Sequence, residues 1–159
     1  MTTRRNAVLA ALALAGGLVA VPQSAQAQAA SRTVNPSDIV GAMNAYRRAN
    51  GLPAVRADAP VMNAARAHAS AMAGANSLSH DLGGDLRSRL ASHGVGRTTA
   101  VENIAWGVNT VRDVMSLWQA SPGHNQNLLA PDVSRLGIGA APGPSGVYWA
   151  LIMTGAPRR

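Results

Sequence analysis

Apolar residues change period twice along the chain. From Ala7 to Val21 they form an unbroken, uncharged run of Ala, Leu and Val. After Pro36 the spacing turns helical: Ile39, Met43, Tyr46 and Asn50 recur about one turn apart. Asn35 is placed to cap that helix, with Pro36 at its first position and Asp38 in its first turn, while Gly51 and Pro53 end it. Asp58 should cap a second helix running to about Gly74, with Val61, Ala65, His68 and Met72 inward. Alanine dominates that stripe, so whatever packs on it must come close. A loop, Leu78-Ser79-His80-Asp81 with Gly83 and Gly84, leads to a short helix from Asp85 to His93. Thr98 to Trp106 is expected as a strand, and Thr110-x-x-Asp113 opens a helix turning Val114, Leu117 and Trp118 inward. Ser121-Pro122-Gly123 stops it and starts another helix at His124. Val133–Ala141 and Gly146–Thr154 are β-like runs joined by Pro142-Gly143-Pro144-Ser145, a hairpin. Helices followed by an antiparallel hairpin give an α+β class in one domain.

The first apolar run has a second meaning. A short basic start, Met1 to Asn6, precedes it, and the small-residue series Ala25-Gln26-Ala27-Gln28-Ala29 follows. That is the plan of a secretory signal peptide, residues 1–27, too short for a comfortable membrane span. Arg4-Arg5 also permits the twin-arginine route beside the general secretory one. Residues 28–35 then form a linker, 36–155 the domain and 156–159 a tail, giving a secreted or periplasmic monomer with no transmembrane segment after cleavage. There is no cysteine, which excludes thiol catalysis, thiolate metal sites and disulfide support. The net charge of +7 comes from fourteen arginines and no lysine. They are scattered rather than clustered with aromatics, so no nucleic-acid partner is expected; weak attraction to anionic envelope polymers remains.

Candidate chemistry lies in three polar segments. Ser79-His80-Asp81 sits in the glycine-flanked loop; Glu102, the chain's only glutamate, interrupts an apolar strand; His124 opens a helix. A histidine titrating near neutrality serves as acid, base or metal ligand. A carboxylate in an apolar strand is costly to bury without a partner. By spacing alone the three residues lie 22 positions apart, a pattern more often made by unrelated surface groups than by a shared site. His68 falls on an apolar stripe and is expected as a hydrogen-bonded core residue, His93 as a solvated one. Ser79 and Ser121 lie outside any G-x-S-x-G elbow, which argues against a serine hydrolase. Trp106, four residues past Glu102, is the aromatic best placed to line a cleft.

A series of motifs stands in order beside these residues. It comprises Asn44-x-x-Arg47 with Gly51-Leu52-Pro53, His68-Ala69 with Met72, and Ser79-His80. Then come Glu102-Asn103-Ile104-Ala105, Trp118 before Ser121-Pro122-Gly123-His124, Leu136-Gly137-Ile138-Gly139 and Tyr148-Trp149. Together they resemble the CAP superfamily of cysteine-rich secretory, antigen 5 and pathogenesis-related proteins, in its cysteine-free bacterial branch, over about residues 36 to 155. The resemblance implies a three-layer α–β–α sandwich with a small antiparallel sheet between helical layers. It also implies a central cleft with two histidines and two acids able to hold a divalent metal such as zinc. These map to His80, His124 and Glu102, with Asn103 and Trp106 on the cleft; the position of the second acid is Ser121. Two imidazoles and one carboxylate make a three-ligand zinc site with an open position, or Glu102 stands behind a histidine and orients it. Three functions follow: an exported binding module for a lipid, glycan, peptide or protein ligand; a hydrolase using Glu102, His80 and His124; or a structural, stress-related envelope protein. With no activated nucleophile and a broken acidic pair, binding is the favoured expectation.

Overall fold

The computed structural model describes residues 36–156. The leader, the linker with the Asn35 cap, and residues 157–159 lie outside them. The first helix, α1 (Pro36–Ala49), buries Ile39, Met43 and Arg47, so its inward stripe ends on an arginine rather than on Asn50. Arg47 donates from Nε to the Pro53 carbonyl at 2.9 Å and from Nη1 to the carbonyls of Leu128 at 2.8 Å and Ala130 at 3.0 Å. Asn44 and Val55 exchange two hydrogen bonds beside it, between the Asn44 side chain and the Val55 main chain. The Asn-x-x-Arg pair is thus a clamp holding the chain ends of several elements together.

After a two-residue strand, β1 (Arg56–Ala57), Asp58 caps α2 (Ala59–Ala75), which ends on Asn76 in the left-handed conformation. Asp85 caps α3 (Leu86–Ser92), and β2 (Ala100–Trp106) follows. Thr110 caps α4 (Val111–Ala120), α5 (Pro122–Leu128) comes directly after it, and β3 (Arg135–Gly143) and β4 (Gly146–Thr154) form the hairpin. Leu117 departs from expectation, being 38 % exposed while Val114, Met115 and Trp118 are buried. At about 100° per residue those three share one arc of the helix, and Leu117 falls about 60° outside it.

The sheet order is β1-β3-β4-β2. Its three long strands are antiparallel, and the short β1 adds one parallel pairing against β3 that two residues gave no pattern to foresee. Strand alternation sorts side chains into two layers. Leu136, Ile138, Trp149, Leu151, Met153 and Ala105 pack with α1, α4 and α5. Ile104, Tyr148, Ala150 and Ile152 turn to the α2 side. This is the expected sandwich. The alanine stripe of α2 meets glycines of β3: a Cβ on Gly137 would lie 2.3 Å from the Val61 backbone, and one on Gly139 2.3 Å from the Ala65 carbonyl oxygen.

Candidate functional site

Strand β2 lies at the sheet edge, hydrogen-bonded on one side to β4. Its two faces divide the candidate residues. Glu102, in register with Ile104 and Trp106, points to the α2 and α3 side, whereas Asn103 points to the α4 and α5 side. The carbonyls of Glu102 and Ile104 accept bonds from Asn127 Nδ2 at 3.0 Å and Trp118 Nε1 at 3.2 Å, which tie α5 and α4 to the strand.

The Glu102 side chain is only 4 % exposed, yet fully partnered. Arg89 of α3 grips it as a fork, Nη1 to Oε2 at 2.8 Å and Nη2 to Oε1 at 3.0 Å. His80 Nδ1 lies 2.8 Å from Oε1. An ionised carboxylate only accepts, so this bond places a proton on His80 Nδ1, and in the neutral imidazole it leaves Nε2 as an acceptor on a side chain that is 55 % exposed. Arg89 also donates to the backbone that carries His80, from Nη2 to the His80 carbonyl at 2.8 Å and from Nε to the Gly84 carbonyl at 2.9 Å. Gly83 and Gly84 both have positive φ, a conformation open to glycine that folds this loop back onto α3.

His68 is buried as expected, with its Nδ1 donating to the Leu82 carbonyl at 3.2 Å. Its Nε2 lies 3.8 Å from Glu102 Oε1 and has no hydrogen-bond partner. Burial pulls its pKa down; the attraction of Glu102 opposes that, and the Arg89 guanidinium adds to it. A neutral His68 therefore faces the carboxylate with a lone pair.

On the other face, Asn103 is buried rather than open to a cleft. It donates from Nδ2 to the His124 carbonyl at 3.0 Å and accepts at Oδ1 from Asn127 at 2.8 Å. His124 Nδ1 lies 2.9 Å from Ser121 Oγ, so the serine at the second acid position partners the imidazole through a neutral group. The His124 pKa is lowered by burial first and then by repulsion from His80 in its protonated form. Trp106 is 46 % exposed, with Nε1 donating to the Ser145 carbonyl at 2.9 Å and its ring centroid 6.3 Å from that of Tyr148. With Asn76, Leu78, Ser145 and Tyr148 it lines a depression of about 310 Å³. A second depression, about 500 Å³ between Arg87, Leu90, Val95 and Arg97, contains none of the His80–Glu102 groups, so the chemistry rather than the volume marks the site.

A divalent metal would have to draw on Glu102, whose two oxygens already hold a guanidinium. Among the described residues no group of three His, Asp or Glu side chains is arranged to hold an ion. The donor set does not fit one. Sequence reasoning missed Arg89 and Asn127. Arg89 had a signal, since Leu86, Arg89 and Leu90 share one helical face, and a charge on an apolar stripe demands a partner of opposite sign.

Comparison with known proteins agrees with this architecture. Residues 40–154 match the family model for CAP, the cysteine-rich secretory protein family. Over 113 residues the chain is 33 % identical to the uncharacterized protein YkwD of Bacillus subtilis (strain 168), covering 70 % of this chain and 43 % of that one. An extracellular SCP-domain protein from Bacillus anthracis superposes with a TM-score of 0.69 at 28 % identity, covering 76 % of this chain and 40 % of the other. An outer surface protein of Borrelia burgdorferi gives the same TM-score of 0.69 at 16 % identity, over 75 % of this chain and 90 % of the other, and shares the fold. The chain thus spans about two fifths of the two Bacillus proteins. Sandwich, motif order and family match coincide: this chain, free of cysteine, belongs to the CAP family.

Proposed function

We propose that the chain is an exported binding module that takes a peptide or glycan along the His80–Trp106 side of β2. The observation that carries this is the His80 Nδ1–Glu102 Oε1 bond, which fixes a half-exposed imidazole with Nε2 ready to accept from a ligand. Peptides and glycans supply amide or hydroxyl donors for that nitrogen. Two residues before His80, the exposed Leu78 joins Trp106 in one depression, adding an apolar surface held in place by the Trp106–Ser145 bond. Export is supported by the leader-like residues 1–27 and by the extracellular description of the Bacillus anthracis relative. The test is binding of purified full-length protein to peptidoglycan fragments, a peptide library and lipid vesicles. Peptide or glycan binding that His80→Ala and Trp106→Ala both abolish is the expected result; vesicle binding alone would refute it.

One observation favours a second reading. The carboxylate–imidazole pair is also the arrangement of a general base, and a hydrolase would use His80 Nε2 to activate water. Turnover of a peptide or ester panel, lost in His80→Ala, would put catalysis in place of binding.

A further inference from the structure

Arg89 is 6 % exposed and spends four of its five N–H donors within the site. Two reach Glu102, one the His80 carbonyl and one the Gly84 carbonyl, so a single guanidinium joins α3, the His80 loop and β2. Glu102 is the only glutamate, and a carboxylate buried in a strand beside Val101 and Ile104 is costly without a positive partner. We propose that Arg89 is the resident cation of this site, a positioning residue that does the work a divalent ion would do there and thereby keeps metal out.

Two consequences follow from the geometry. First, the fork aims both carboxylate oxygens, and through Oε1 it holds His80 in the Nδ1–H tautomer. Second, an ion approaching Glu102 must displace two charge-assisted bonds and then share the space with a buried positive charge. Removing that charge reverses the balance. The uncompensated Glu102 carboxylate then attracts a cation, and the ring nitrogens beside it, His80 Nδ1 at 2.8 Å from Oε1 and the unpartnered His68 Nε2 at 3.8 Å, are of the type zinc accepts. Specificity for a ligand over a metal ion is thus set by a residue that touches neither.

The assignment deepens the binding reading of His80, but its test needs no ligand. Zinc chloride is titrated calorimetrically into the full-length protein and into Arg89→Met, which keeps the length of the side chain and removes the charge. The ¹⁵N shifts of His80 report its tautomer in both. The wild type should bind zinc at least tenfold more weakly than Arg89→Met, and its His80 should show a protonated Nδ1 that becomes a tautomer mixture in the variant. Should Arg89→Met fail to fold, Arg89→Lys decides: it restores the charge without the fork, so zinc should stay excluded while the tautomer becomes mixed. Wild-type zinc binding as tight as that of Arg89→Met, zinc binding by Arg89→Lys clearly tighter than by the wild type, or a His80 tautomer indifferent to both substitutions, would overturn the assignment. Loss of peptide or glycan binding with these results intact would refute only the proposed function.

Discussion

Glu102 and His80 share a hydrogen bond, but they differ in what they owe to burial. Glu102 is enclosed, and its charge is balanced by Arg89 at 2.8 Å and 3.0 Å. Glu102→Gln would leave the guanidinium buried without its counter-charge, an expected loss of about 3–5 kcal/mol in urea unfolding. His80 is half exposed, and the Arg89–Glu102 pair survives without it. His80→Ala should therefore cost under about 1 kcal/mol while abolishing ligand binding. Equal destabilisation by the two substitutions would show that His80 is structural. The sequence revealed half of this cluster. The solitary Glu102 and the loop position of His80 were visible, but their pairing was not, because the chain between them, 22 positions in sequence, crosses two loops and a helix. Arg89 left only a faint signal, its place on the face of Leu86 and Leu90, and as one of fourteen arginines on a short helix it stands out only once its partner is known.

The α2–β3 contact governs stability at the level of elements. Gly139 lies under the Ala65 carbonyl, where an added Cβ would come within 2.3 Å of backbone that cannot move aside. Gly139→Ala should cost about 3 kcal/mol or more, the upper part of the overpacking range. Gly74 supplies the contrast inside α2 itself, since it is exposed and a Cβ there meets nothing within 4 Å. Gly74→Ala should stabilise the protein by about 0.5–1 kcal/mol through helix propensity. Thermal unfolding of the pair checks both signs at once. Close packing of α2 was legible in its alanine content, and the glycine spacing in β3 matches it residue for residue. The inward turn of Leu117 was misjudged because three apolar residues one turn apart fit two neighbouring arcs, and only the position of the sheet chooses between them.

For the whole molecule, packing and internal polar bonds must supply all the stability, since no cysteine is present. Arg47 is the clearest case, a buried cation fastening α1 to the carbonyls that end α5. Arg47→Met should lower stability by about 2–4 kcal/mol, because three carbonyls lose their donor. Stability should also fall on acidification. The pKa values of His68 and His124 are lowered by burial, so below the ordinary histidine value of about 6.5 the unfolded chain takes up protons that the folded chain refuses. Their contribution is complete above that pH and declines as pH falls through the lowered values. Asp85, lowered by its bonds to Ser88, acts in the same direction at more acid pH. Urea midpoints should stay level from pH 8 to about 6.5 and decrease from there to pH 5; a profile flat over the whole range would contradict the buried, neutral state of His68.

The amino-acid sequence by itself determined the periods of the elements, their caps at Asp58 and Thr110, the α+β class and the order of the family motifs. These are local properties, written in spacing that repeats every two or every 3.6 residues. Tertiary structure alone decided which charges meet. The helix layers on the two faces of β2 turn Glu102 toward α2 and α3 and Asn103 toward α4 and α5, and the positive-φ glycines return His80 to Arg89. Those contacts join residues distant in the chain, and their energy depends on burial, which no spacing encodes. Burial made Glu102 a carboxylate that needs Arg89 and left His80 as the histidine free to meet a ligand.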